Sequence, residues 1–258
     1  MNRSATRPIL SLALAGVVLL CAATGRSEEE SPRDLFKRIV DNIPKAPFVA
    51  KMTLTNRGSV RELELSHKQL NEKTFASLLA VTSPQDVAGT RFLIVEHTDA
   101  PDEQYIRVPG VSRVVRLVSD SRGQSLLGSE FSVSDLTLPA PDALDLSYAG
   151  NESVKGRACK LVDVVARPEA QWQYTKARYA IDPVDLVIMR TELFDEKGPL
   201  KLWTLDKLER IDGIWTPVDQ QMKNVRDNIQ SQLVIHEVRY HVDLPDEMFT
   251  RGRLERER

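Results

Sequence analysis

The sequence predicts a mainly β protein: a curved antiparallel sheet or barrel of about eleven strands, preceded by one helix near the N-terminus. Three observations predict it. From Phe48 onward, apolar and polar residues alternate with a period of two. The stretches are punctuated by Asn, Asp, Pro and Gly at turn positions. Only one segment, around Leu35, Ile39 and Ile43, repeats its apolar residues at helical spacing.

The helix has a start signal. Ser31 suits the cap, Pro32 the first helical position and Asp34 the positive end of the dipole. Leu35, Phe36, Ile39, Val40 and Ile43 form its apolar stripe, and Pro44 ends it. The first strand follows, with Phe48, Ala50, Met52 and Leu54 on one face. A turn at Asn56-Arg57-Gly58-Ser59 leads into a second at 60–66. Further strands are expected near 74–82, 90–96, 104–108, 112–118, 145–149, 158–166, 174–181, 186–194, 200–210, 214–225 and 229–242. Asp212-Gly213, set between two alternating stretches, is the strongest hairpin signal. The charged tail Arg251–Arg258 is expected to fray.

The N-terminus reads as an export signal over residues 1–25. Arg3 and Arg7 precede an apolar run from Ile9 to Ala23, and Ala23-Thr24-Gly25 offers a cleavage site with small residues. The run is too short to favour a permanent span. Cys21 raises lipid anchoring as an alternative, but bulky Leu20 stands where a lipoprotein signal needs a small residue. The remainder, 26–258, is expected to fold as one domain in the periplasm. Of 35 basic residues, Arg3 and Arg7 leave with the signal, so 33 face 37 acidic ones, a net charge of −4. That excludes a basic nucleic-acid footprint. Cys159 is then the one cysteine left, and no internal disulfide can form.

Catalytic signatures are missing. The four histidines, His67, His97, His236 and His241, show no metal-ligand spacing, and His236 and His241 fall on opposite faces of a strand. Cys159 shares a strand face with Leu161 and Val165 and reads as a buried apolar side chain. No nucleophile elbow, zinc-protease, P-loop or dinucleotide motif occurs. The expectation is a protein without cofactor, without metal and without enzymatic activity.

Three stretches are more specific than strand-and-turn text. Pro84-Gln-Asp-Val-Ala-Gly89-Thr-Arg-Phe-Leu93 is a turn feeding a strand apolar on both sides. Tyr105 to Arg116 joins two strands through Pro109-Gly110 and supplies three arginines. Leu126-Leu-Gly-Ser-Glu-Phe131-Ser-Val-Ser-Asp-Leu136 carries apolar residues without a clean period. Together with Gly150, Glu152, Arg157-Ala-Cys159, the Asp182 turn, Phe194-Asp195 and Asp212-Gly-Ile-Trp215-Thr-Pro217, they resemble the outer-membrane lipoprotein-sorting family with the LolA-like fold, in its larger uncharacterised branch. The likeness covers most of 45–255. Departures are mild: Glu130 stands in place of an Asp, Val133 and Ser134 in place of a Tyr-Glu pair, and Leu126 in place of an aromatic residue.

The resemblance implies an incomplete LolA/LolB-like barrel, lidded by short helices, that carries acyl chains of lipids or lipoproteins between envelope membranes. The alternative it implies is a protein-binding module or envelope-stress sensor working with an inner-membrane lipid exporter or regulator. Sheltering a two-tailed lipid of roughly 30 methylenes removes on the order of 20 kcal/mol of exposure cost. The candidate lipid-lining residues are Phe92, Ile94, Leu126, Leu127, Phe131, Leu136, Trp203 and Trp215. Arg107, Arg113, Arg116 and Arg122 are candidates for contacting a headgroup or partner. The expected partners are acyl chains and an inner-membrane transporter or outer-membrane acceptor; the chain is expected to act as a monomer and to bind no nucleic acid.

Overall fold

The computed structural model describes residues 30–97, 100, 102–111, 113–117, 125–132, 135, 141–167 and 172–256. The signal segment 1–25 with Cys21, and the candidates Arg122 and Leu136, lie outside the described residues. Helix α1 spans Pro32–Asp41, and the Ser31 hydroxyl accepts the Asp34 N–H at 3.1 Å, satisfying a donor that the first turn leaves open. Asn42 closes the helix. Leu35, Phe36 and Ile39 are buried, but Ile43, expected on the same stripe, is 41% exposed because the helix has already ended.

Among the described residues thirteen strands follow, more than the expected eleven or so, because every stretch marked by alternation forms a strand. One arm contains β1 (Phe48–Asn56), β2 (Ser59–Asn71), β3 (Thr74–Ser83), β4 (Arg91–His97), β5 (Glu103–Arg107) and the short β6 (Val115–Arg116). The other contains β7 (Leu144–Val154), β8 (Arg157–Ala166), β9 (Lys176–Asp182), β10 (Val187–Asp195), β11 (Gly198–Ile211), β12 (Ile214–Asn224) and β13 (Ile229–Tyr240). Each arm is a meander, and the two join where β1 pairs antiparallel with β13. β6 and β7 are the outermost strands and do not pair with each other, so the sheet is curved but unclosed.

Local chemistry sets the hairpins. Ile211 pairs with Ile214 across Asp212 (φ 50°) and Gly213 (φ 80°), the double left-handed turn whose twist suits two adjoining strands. Register shifts along β11, between Leu205, Lys207 and Leu208, add the local twist that bends a 14-residue strand.

Alternation sorts the side chains onto two faces. On the inner face, Ala50, Leu65, Leu79, Phe92 and Ile106 lie in one cross-strand row. They join a single core with Val162, Val164, Ala177 and Tyr179 of the other arm and with Leu35, Phe36 and Ile39 of α1. The Phe36 ring meets the Tyr179 ring edge-on at 5.5 Å. Leu126 and Phe131, from the segment between the arms, are buried in the same core, with a 3-10 turn at Leu126–Gly128. Arg33 of α1 donates to the Leu144 carbonyl at 2.8 Å, covering part of the β7 edge.

The outer face of β3–β5 carries a second core in which Ala76, Leu93 and Tyr105 meet Leu244, Phe249 and Leu254. Here the structure corrects the expected frayed tail. Arg251–Arg256 form helix α2, held by the buried Leu254 and by the Arg251 guanidinium 5.9 Å from the Tyr105 ring centre. One apolar residue among charges gave the sequence no periodicity to read.

Because Phe36 is fully buried and bridges α1 to the sheet, Phe36→Ala is expected to destabilise the fold by about 3–5 kcal/mol. Urea unfolding followed by circular dichroism measures it; a loss under about 1 kcal/mol would mean that α1 is not an integral part of the core.

Candidate ligand-binding clefts

The inner face is not filled evenly. Beside β9–β12 it leaves two adjoining clefts, which share Ile188 and Trp203 as walls. The larger, about 500 Å³, lies between the chain leaving α1 (Ile43, Pro44), the β9–β10 turn (Leu186) and the β11–β12 hairpin (Leu208, Ile214, Trp215). Its lining is mainly aliphatic and aromatic, and its volume falls within the range of small-molecule sites. Trp215 is held at the rim by two guanidiniums, Arg157 at 5.1 Å and Arg210 at 5.7 Å from its ring centre. Arg157 is itself fixed by Asp182 at 2.6 Å and by Asp185.

The smaller chamber, about 140 Å³, is lined by Asp135, Trp172, Tyr174, Tyr179, Thr191 and Gln220 among others. Asp135, whose side chain is 3% exposed, organises one wall. Its carboxylate accepts from the Tyr174 hydroxyl (2.5 Å), the Ser132 N–H (2.7 Å), Lys201 Nζ (3.0 Å) and Gln173 Nε2 (3.4 Å). A buried carboxylate survives only with such compensation. Burial and the Asp135 charge together push the Tyr174 phenol well above its ordinary range. The indole Nε1 of Trp203 donates to Gln220 Oε1 at 3.2 Å, which fixes the wall between the two spaces.

Trp203 and Trp215 thus stand at the clefts. Phe92, Ile94, Leu126 and Phe131 are buried within the packed inner core, with Leu127 packed against it, and they line neither cleft. Arg107, Arg113 and Arg116 also stand away from both clefts. Arg107 is paired across the ladder with Arg91, and Arg116 with Tyr105. Burial, with Arg107 and Arg253 nearby, lowers the Arg91 guanidinium below its usual range, so Arg107 belongs to a basic patch beside α2. Sequence reasoning passed over Tyr174, Tyr179, Thr191, Leu208 and Gln220, which carry no motif. Asp135 stood inside one of the quoted motifs without an assigned role.

A different polar group lies on the inner face of the first arm. His67 is stacked on Phe48 (5.1 Å) and Phe75 (6.2 Å), and its Nδ1 lies 2.9 Å from Ser77 Oγ. Burial lowers its pKa to about 4, so the ring is neutral at pH 7. Glu96, paired with Phe75 across the ladder, is raised to about 7 by burial and by the Asp102 charge. Cys159 is buried against Ala180, Met189 and Leu205, and burial raises its thiol pKa.

A curved, unclosed antiparallel sheet with a helix and a connecting segment packed on its inner face is a LolA-like incomplete barrel. The chain belongs to a protein family described as "Uncharacterized protein", whose model matches residues 73–256. Among solved structures, it is similar to a domain from Vibrio parahaemolyticus titled as belonging to an outer membrane lipoprotein-sorting protein. That match has 22% identity and a TM-score of 0.81, covering 87% of this chain and 98% of that one. A DUF1329 family protein from Desulfovibrio piger matches at 24% identity and a TM-score of 0.80, over 87% of this chain and 100% of that one. A LolA superfamily protein from Nitrosomonas europaea matches at 16% identity and a TM-score of 0.65, over 86% and 98%. No curated protein matches the chain.

His67 and Glu96 give opposite pH dependences. Between pH 4 and 6.5 the unfolded chain protonates His67 while the folded chain does not, so acidification costs stability. Between pH 4.5 and 7 the folded chain keeps Glu96 protonated while the unfolded chain does not, so raising the pH costs stability. Each slope is about 1.4 kcal/mol per pH unit, and the two nearly cancel from pH 5 to 6. Glu96→Gln is therefore expected to lose about 1 kcal/mol of urea stability on going from pH 6 to 5, and His67→Gln to gain a similar amount. Flat profiles in both variants would show that neither group is perturbed.

Proposed function

We propose that the protein is an exported periplasmic carrier that shelters acyl chains of lipids or lipoproteins and passes them between envelope membranes, without catalysing a reaction. The observation that carries this reading is the aliphatic cleft of about 500 Å³ at the unclosed barrel's inner side. Hydrocarbon transferred there from water gains about 0.8 kcal/mol per methylene, and the site needs no chemistry beyond this. The partly exposed Ile43 and the exposed Val184 on its lining give an apolar entry for a chain arriving from a membrane.

Further support comes from the fold shared with the domain titled as an outer membrane lipoprotein-sorting protein and from the signal-like residues 1–25. A binding role also suits Cys159, whose buried, proton-retaining thiol is a poor nucleophile. Among the described residues, no helix is long and apolar enough to cross a membrane.

Protein purified from envelope fractions is expected to release acyl species on organic extraction, detectable by mass spectrometry, and to take up a fluorescent fatty-acid probe. Leu208→Glu, which places a carboxylate in the cleft lining, is expected to weaken probe binding at least about 10-fold while circular dichroism stays unchanged. Extracts without acyl species, together with no probe uptake by the unmodified chain, would overturn the carrier reading.

A further inference from the structure

The smaller chamber has polar atoms that the chain itself does not use. Tyr179 on β9 and Thr191 on β10 are direct cross-strand partners, so their side chains leave the sheet on the same face. Both line the chamber, and they are only 4% and 6% exposed. Among the described residues, no side chain or backbone group bonds either hydroxyl, and both stay open to the chamber. Two hydroxyls of largely buried residues, open toward a common space of about 140 Å³, mark a place where a molecule inside that space supplies the partner.

Two other polar groups of the wall, Asp135 and Gln220, are already engaged. Asp135 already accepts from four donors. Gln220 donates to the Pro217 carbonyl at 3.0 Å and accepts from Trp203. What the chamber offers a visitor is donors among aromatic rings, the two hydroxyls and the indole N–H of Trp172. The charge of the visitor is constrained as well. Burial and the Asp135 field hold the Tyr179 phenol in its protonated form, and the same field opposes an anion. Lys201, 3.0 Å from Asp135, already neutralises that carboxylate, so a cationic ligand is not called for.

We infer that the chamber binds a neutral hydrogen-bond acceptor, the carbonyl of an acyl ester or amide, while the attached hydrocarbon runs past Ile188 and Trp203 into the larger cleft. This rests on the carrier reading and narrows it. The ligand is an acylated molecule held at its linkage, and a free fatty-acid carboxylate is disfavoured.

Four twelve-carbon ligands separate the possibilities when titrated against the unmodified chain by tryptophan fluorescence: 1-lauroylglycerol, N-lauroylglycinamide, 1-dodecylglycerol and laurate. The ester or the amide is expected to bind about 5-fold or more tightly than the ether, which lacks the carbonyl, and than laurate. Which of the two binds better tells a glycerolipid linkage from an N-acyl one. The double variant Tyr179→Phe, Thr191→Val is expected to bring carbonyl ligands down to the affinity of the ether. Equal affinities for ester, amide and ether in the unmodified chain would overturn the inference and leave the carrier reading standing, as would a preference that survives the double variant. If none of the four binds, both fall together.

Discussion

The antiparallel pairing of β1 with β13 is the constraint on which the rest of the molecule depends. All other neighbours in the sheet are consecutive in sequence and can be built by local hairpins or short connections. This one pair bends two meanders into a single sheet, so that inner faces formed far apart in the chain share one core. Its register is secured at several points. The Phe48 and Tyr240 rings lie 5.5 Å apart, Lys51 meets Glu237 at 3.0 Å, and Thr53 Oγ1 lies 2.9 Å from His236 Nε2. A slip by one residue would turn Ala50, Met52 and Leu54 outward.

Once the arms share a core, their side-chain content decides where space remains. The first arm lays down rows of large apolar residues, and Leu126 and Phe131 are buried over them. The second arm presents Ala177 and Thr191 beside Tyr179 and Tyr174, and aromatic rings bridge across small neighbours without filling every gap. The hollow therefore arises from alternation of large and small residues on β9 and β10 rather than from any gap in the sheet. The buried Asp135 network adds definition, since each of its donors comes from a different residue and the carboxylate can settle in few other places.

Much of this was legible in the sequence, for identifiable reasons. Ser31-Pro32 and the Leu35 stripe announce α1, Asp212-Gly213 announces its hairpin, and alternation announces each strand. These signals are local. Which strands meet at the seam is decided by tertiary packing, and no neighbouring residues encode it. The apolar site candidates Phe92, Ile94, Leu126 and Phe131 stand out in the sequence by hydrophobicity, and that same property draws them into the packed core. Trp203 and Trp215 stand at the clefts, Trp203 in the middle of β11 as the wall between the two spaces and Trp215 at the start of β12. Tyr179 and Thr191 read as ordinary strand residues, since an unsatisfied hydroxyl is a property of surroundings and not of spacing.

The seam between the first and last strands also sets an order of events during biosynthesis. β1 leaves the ribosome early, and its partner β13 is among the last elements made, so the seam cannot close until the chain is almost complete. High contact order of this kind slows folding and prolongs exposure of strand edges. Until that last strand arrives, the early arm must stay unpaired along its β1 edge, so the final core forms only with the C-terminal part of the chain in place.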